Sequence, residues 1–402
     1  MALSTALPSS GNTAWYTYAG ALHDAAGVSD GAIIVASNDA PAAVKEKAHY
    51  VCDGTADEVQ INAAIELASP TQANDAAQSG TDRAVAAGTQ AGRVVLTGGE
   101  FKCDASILIR TGVWLQGQGK LTVIRPRTAF TGVTGSGTPV ALLKKYDEYT
   151  HLITVSDLSF IRGAVSFDGH CIYLESGSDL DSYPNTDPDT YDQIRDLFIY
   201  GFSRSGQVGL YVAGAPDGRG VFIDGISARS GGTGGATHIY IDAPDGAVQN
   251  CNLGGTDYPL RIEAGNFRVN NIKAWYGEVA GMRFNNTRTV ATCLEVQDSL
   301  VGCQITAGTQ IIEGLHIDNC DTTGIAISSG VSTIKLSFLI HHRSGGRYAN
   351  MDTGISFGTG GDRQNVQGVI LTTDVTTPIS GTTSGTTNFM RIAHGSTLLS
   401  VN

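Results

Sequence analysis

Short segments in which apolar and polar residues alternate recur along the C-terminal two thirds of the chain: CIYLES, GLYVAG, HIYIDA, PLRIEA, GMRFNN, GCQITA, GIAISS, GISFGT and FMRIAH. Each places two apolar positions around a central residue, the pattern of a strand with one buried face. The central residues are Tyr173, Tyr211, Tyr240, Arg261, Arg283, Gln304, Ala326, Ser356 and Arg391, and from Tyr240 to Ala326 they step by 21, 22, 21 and 22. A second series, SDLSF, RDLFI, DGISA, QNCNL, NNIKA, TCLEV, EGLHI, IKLSF and QGVIL, keeps the same rhythm. The residues before its first inward position are Asp157, Asp196, Gly225, Asn250, Asn271, Cys293, Gly314, Lys335 and Gly368, stepping by 21, 22, 21 and 21 from Asn250 to Lys335.

The two series interleave at 11 or 12 residues, so each period holds at least two strands separated by turns. Repetition near 22 residues predicts coils stacked strand on strand, about 4.8 Å apart, which is an all-β parallel β-helix. Neither the fixed Leu and Asn positions of a leucine-rich repeat nor a six-residue motif is present. The predicted interior column is Ile172, Leu174, Leu210, Val212, Ile239, Ile241, Leu260, Ile262, Met282, Phe284, Cys303, Ile305, Ile325 and Ile327. Longer steps mark insertions at 177–193, 228–237 and 341–352, where a solenoid commonly places its binding loops.

Composition agrees with this reading. Of 402 residues 51 are Gly and only 16% are charged, which suits short strands and turns better than helices with surfaces dense in Glu and Lys. The net charge of −12 disfavours nucleic acid as a partner. The N-terminus lacks the basic and apolar regions of a secretion signal, and no long uncharged apolar run predicts membrane insertion. Seven scattered cysteines without a CxxC pair read as buried thiols of a reducing compartment.

The segment CDGTADEVQINAAIELA followed by GRVVLTGGEFKCDASILIRTGVWLQGQGKLTVIRP resembles the entry of pectate-lyase-like right-handed β-helix proteins, and most closely the minor tail proteins and tailspikes of phages that infect actinobacteria. The likeness is specific over residues 33–125. It implies a short capping helix near Glu58 to Leu67, with Asp53, Thr55 or Asp57 at its N-terminus and Val59, Ala63 and Ile65 covering the open end of the solenoid. The longer stretch 69–92 departs from the family's tight turn. The organisation expected is an attachment segment (1–32, with Trp15, Tyr16 and Tyr18 as anchors), capping helix and first coils (33–125), main β-helix (126–373) and a Thr/Gly/Ser-rich C-terminal cap or interchain segment (374–402). The resemblance further implies a virion protein assembled in the host cytoplasm as a homotrimer, with other tail proteins and a host envelope glycan as partners. Two rivals remain, a polysaccharide depolymerase of the same shape and a bacterial surface adhesin.

Stacking turns outward residues into columns, so carboxylate pairs of glycosidase type can be sought on adjacent rungs. Asp242 and Glu263 form one such pair beside Arg261 and Arg283. Glu295 and His316 form another, with Lys273 able to neutralise an acidic sugar. Either set reads equally as a solvated charge ladder. Tyr173, Tyr211 and Tyr240 align as an aromatic column fit for sugar faces or for shielding under a loop. His341, His342 and Arg343 adjoin on an insertion, and no metal or other cofactor is expected. The calcium-binding Asp cluster of pectate lyases and the NTD, DD and GHG motifs of polygalacturonases find no match in the sequence, so no catalytic residue transfers from the resemblance.

Overall fold

A computed structural model describes residues 31–69, 92–131, 139–146, 150, 152–176, 192–214, 220–230, 236–342, 347–348, 350–358, 364–371, 375–381, 389–394 and 397–399. The chain is a right-handed parallel β-helix. Each full coil contributes to three sheets, not the minimum of two that the sequence pattern required. The first sheet stacks Ile33–Ala36, Gly92–Leu96, Val113–Gln116, Thr154–Ser156, Asp192–Arg195 and Val221–Asp224, then runs into 246–249, 267–270 and 289–292. The second stacks Gly99–Cys103, Thr122–Pro126, Ser159–Ile161, Phe198–Tyr200 and Ser227–Arg229, then 252–254, 273–275 and 294–297. The third stacks Ile107–Ile109, Ala141–Lys145, His170–Ser176, Val208–Gly214, Thr237–Asp242 and Tyr258–Ile262, then 280–284. All fourteen residues of the predicted interior column are buried, none more than 3% exposed.

A single-residue corner separates the first sheet from the second. Asp157, Asp196, Asn250, Asn271 and Cys293 take φ between 52° and 56° there, and Gly225 and Gly314 take 71°. These are the first seven of the nine residues in the second sequence series. Left-handed backbone costs an ordinary L-residue roughly 1–2 kcal/mol, and Asn, Asp and Gly tolerate it best. The exposed amides also bond from coil to coil: Asn271 Nδ2 donates to Asn250 Oδ1 at 2.8 Å, and Asn250 Nδ2 to Asp224 Oδ1 at 2.8 Å. Lys335 and Gly368 are not in this column. Register shifts in the strand pair Val301–Asp318 and Thr323–His341 put Lys335 opposite Ile311, and Gly368 lies opposite Phe338. FMRIAH likewise belongs to the first and second sheets, since Arg391 pairs with Gln367. The following strand, Thr397–Leu399, folds back antiparallel on it.

Helix Glu58–Ala68 closes the N-terminal end with Ile61, Ala64, Ile65 and Ala68, while Val59 is 59% exposed and faces away. Asp57 does not cap the helix with its side chain. Its buried carboxylate instead accepts the backbone N–H groups of Gly54 (2.9 Å) and Lys102 (2.7 Å), Glu58 accepts that of Asp104 (2.9 Å), and Asn62 accepts that of Leu108 (2.8 Å). The helix therefore supplies acceptors to coil backbone at an end with no preceding rung to do so. Cys52 is buried beneath it, and burial holds its thiol far above the ordinary range. Residues 1–30 of the expected attachment segment (1–32), the stretch 70–91 and most of the insertion at 177–193 lie outside the described residues.

Three histidines, His238 fully buried and His49 and His170 half-buried, are neutral at pH 7, each with its pKa lowered to about 4 by desolvation. His49 Nδ1 accepts the Ile34 N–H (3.0 Å), His170 Nδ1 accepts the Val208 N–H (3.1 Å), and His238 Nε2 donates to the Gly254 carbonyl (2.8 Å). A depressed histidine pKa contributes stability that is complete above the unfolded value near 6.5 and is lost as pH falls towards the folded value. The melting temperature is expected to drop between pH 6.5 and 4, and His170→Gln, whose amide oxygen can accept the Val208 N–H, to make that drop shallower. Cys293→Asn, at an exposed left-handed position, is expected to raise stability by about 1 kcal/mol in urea unfolding. A lower midpoint for this variant would contradict the corner argument.

Candidate functional site

The third sheet carries the densest chemistry. Strand register places Tyr173, Tyr211, Tyr240, Arg261 and Arg283 on consecutive rungs of one outward column. Tyr173 is only 6% exposed and backs onto Tyr211, with ring centroids 5.3 Å apart. Tyr211 stacks on Tyr240 at 4.7 Å and 18°, and the Arg261 guanidinium lies 4.7 Å from the other side of the run, over the Tyr240 ring. Tyr211 and Tyr240 thus share one face with each other, Tyr240 also meets Arg261, and Tyr173 meets Tyr211 edge to face at 81°. Burial raises the pKa of all three tyrosines, so they remain protonated donors at neutral pH.

Beside this column the sequence-predicted carboxylates meet. Asp242 follows Ile241 and Glu263 follows Ile262 on the adjacent rung, and those isoleucines pair in register. The rung spacing of about 4.8 Å is close to the separation of about 5 Å used by retaining glycosidases. Their environments differ. Glu263 Oε1 accepts from Arg261 and lies 3.4 Å from Arg283 Nε, while Oε2 accepts from Asn285 Nδ2. Asn285 Oδ1 in turn accepts from Thr306 at 2.8 Å. Asp242 has no hydrogen-bond or ion-pair partner among the described residues. Although it sits at the exposed edge of the row, desolvation by the packed side chains, aided by repulsion from Glu263, raises its pKa above the usual carboxylate range, with Arg261 opposing. One carboxylate is clamped, and its neighbour is free to hold or release a proton.

The second predicted set sits on another face. Lys273, Glu295 and His316 occupy consecutive rungs of the second sheet. Lys273 Nζ and Glu295 Oε1 are 2.8 Å apart, with both side chains about two-fifths exposed, so solvent screens much of their attraction. Glu295 and His316 lie on the second sheet and Asp242 and Glu263 on the third, with a corner of the solenoid between the two pairs. His341 approaches Asp318 on the preceding rung at 3.6 Å, and His342 is buried. Among the described residues no three His, Cys, Asp or Glu side chains gather as metal ligands.

Sequence reasoning passed over the aromatic residues of the second sheet. Tyr200, Arg229, Gly254 and Trp275 occupy one outward column there, and Tyr276 follows at the corner with φ 55°. The signal was available in the dipeptide Trp275-Tyr276, two large rings in succession on a strand whose alternation exposes at least one of them.

No protein-family model matches the chain, and no curated protein matches it in sequence. Among solved structures it is similar to the A-module of mannuronan C-5 epimerase AlgE4 from Azotobacter vinelandii, with TM-score 0.52 and 14% identity over 83% of this chain and 97% of that one. It is also similar to the enzymatically active domain of tailspike protein 2 from bacteriophage CBA120, with TM-score 0.52 and 16% identity over 70% of this chain and 44% of that one. The chain thus spans less than half of that tailspike structure. At these identities the likeness establishes the right-handed β-helix fold that both proteins share with this one.

A carboxylate whose folded pKa is raised weakens the fold as it ionises, so its cost appears as pH rises above the unfolded value near 3.9. Asp242→Asn is expected to leave the melting temperature unchanged at pH 3 and to raise it at pH 7. A lower melting temperature at pH 7 would mean that Asp242 is held by a favourable charge contact.

Proposed function

We propose that this chain is a tailspike-type component of a phage tail, present in the virion and engaging a polysaccharide of the host envelope along its β-helix. The observation that carries the reading is the third-sheet row, in which tyrosine hydroxyls, two guanidinium groups, an amide and two carboxyls crowd one face of a chain that is otherwise poor in charge. Such a row offers the alternating donors and acceptors that a glycan's hydroxyls and acidic substituents require. The sequence likeness over 33–125 and the structural likeness to a phage tailspike domain support the virion assignment. A homotrimer and attachment through residues 1–32 to other tail proteins complete the proposal.

A second reading, cleavage of the same polysaccharide, is favoured by the asymmetry between Asp242 and Glu263. A carboxyl with a raised pKa can donate a proton to a departing sugar oxygen while its neighbour is held in place by two guanidinium groups. The structural neighbours with epimerase and tailspike activities in their names make this reading chemically natural for the fold.

Purified protein incubated with envelope polysaccharide, with retention and new oligosaccharide ends followed together, separates the two. Binding without new ends is expected for a receptor-binding spike, and Tyr240→Ala or Arg261→Gln should weaken it about tenfold, the loss of one good contact. New ends that vanish in Asp242→Asn while retention persists would instead establish cleavage. Absence of both retention and new ends would exclude a glycan role for this face.

A further inference from the structure

We propose that the second sheet carries a separate glycan contact, a platform for one pyranose ring of an acidic polysaccharide, with the indole of Trp275 as its floor. The inference rests on reading the chain as a glycan binder, but it concerns a different face from the Asp242 row.

The platform depends on a missing side chain one rung away. A Cβ at Gly254 would lie 2.2, 2.3 and 2.7 Å from ring atoms of Trp275, so the indole lies down against the backbone of the neighbouring coil, and only glycine permits this. Gly254 is accordingly buried. The ring cannot swing away freely, because its Nε1–H donates to Asn252 Oδ1 at 2.7 Å. The backbone beneath is itself held: the Gly254 carbonyl accepts from buried His238 at 2.8 Å and from the Ser230 N–H at 3.2 Å. Trp275 remains half-buried. One face lies on Gly254, and the ring is also approached by the Arg229 guanidinium, 5.3 Å from its centre. The tyrosines of the third sheet pack differently, Tyr211 stacking on Tyr240, which also meets Arg261, and Tyr173 meeting Tyr211 edge to face. An immobilised, partly exposed indole takes the C–H face of a pyranose at little cost in side-chain entropy.

The surroundings select an acidic sugar. The Arg229 guanidinium stands 5.3 Å from the Trp275 ring centre, is exposed, and has no ion-pair partner among the described residues. A planar guanidinium left unpaired beside an aromatic floor suits a carboxylate or phosphate substituent of a stacked sugar. Tyr276 meets the indole edge-on at 5.1 Å and bounds the platform at the corner. In the other direction Tyr200, 46% exposed, lies two rungs from Gly254, about 10 Å by strand spacing, so a chain lying along the solenoid axis has a second ring in reach.

The test uses the full chain with Trp15 and Trp114 replaced by Phe, so that fluorescence reports Trp275 alone. Oligogalacturonate, oligomannuronate and hyaluronan oligosaccharides are titrated, each against its carboxyl-reduced neutral counterpart. At least one acidic probe is expected to shift the Trp275 emission saturably and to bind about tenfold more weakly after reduction. Calorimetry on the otherwise unmodified chain should show a loss of about tenfold in Trp275→Ala and in Gly254→Ala, and Arg229→Gln should abolish the preference for the acidic form. Trp275→Ala, which removes a surface ring, serves if Gly254→Ala fails to fold. Acidic probes or envelope polysaccharide that bind equally well to wild type and Trp275→Ala would overturn the platform while leaving the glycan reading intact. Failure of wild type to bind any probe or envelope polysaccharide would overturn both.

Discussion

The structure depends on turning the chain through one residue in the left-handed region and repeating that turn at the same place on successive coils. Asp157, Asp196, Gly225, Asn250, Asn271, Cys293 and Gly314 all do so. A parallel ladder needs rungs that agree in register, and a slip of one residue would turn every buried side chain outward. A corner of fixed length removes that freedom, because the strand before it and the strand after it must then both stack. Column formation follows: Ile241 on Ile262 inside, Tyr240 on Arg261 outside, and an amide ladder at the bend itself.

Columns force like residues together, and the chain handles this in three ways. Apolar residues gain from it, as the continuous interior from Ile172 to Ile327 shows. Aromatic residues pack on one another, Tyr211 face to face with Tyr240 and Tyr173 edge to face with Tyr211. Charges alternate in sign or are clamped, as when Arg261, Arg283 and Asn285 surround Glu263. Departures from these habits are informative. Asp242 is a carboxyl without a hydrogen-bond or ion-pair partner among the described residues beside the clamped Glu263, and Trp275 is a ring that lies down over a glycine instead of stacking on a ring.

The fold was legible because the rise of a coil is fixed by hydrogen bonding and therefore appears as a constant period. The predicted interior column is buried throughout for that reason. The first-sheet strand of each coil was invisible as a separate series because it runs with little break into the second-sheet strand, as in Gly246–Thr256 and Phe267–Gly277. Counting by 21 or 22 failed at Lys335 and Gly368, where register shifts between Ile305 and Leu315 move the pairing without leaving a mark in composition. The role of Asp57 was misread because helix capping is a local rule, and the N–H of Lys102 that it satisfies is remote in sequence. Trp275 was missed for the same kind of reason, since its posture is decided by Gly254 on another rung. The pairing of Asp242 with Glu263 needed only the period, but which of them is clamped needed side-chain positions.

The two decorated faces lie at the same height on the solenoid. Residues 252–254 of the second sheet and Tyr258–Ile262 of the third belong to one coil; Lys273–Trp275 and 280–284 belong to the next. Between them runs a second left-handed corner, formed by Gly255, Tyr276, Asp298 and Asn319. A polysaccharide lying along the axis meets one face only, whereas one wrapping the solenoid crosses Tyr276 and meets Trp275 and then Arg283. The side chains at the corner bear on this choice. Tyr276 is 40% exposed and covered in part by Arg347, which pairs with Glu278 at 2.8 Å, so the crossing is roofed by a bulky polar cluster. Wrapping would have to displace that ion pair and desolvate its charges. The axial course avoids that ion pair and keeps each chain on one sheet, so on the proposed reading the two faces would act as independent contacts whose energies combine through simultaneous occupancy, not through a shared sugar.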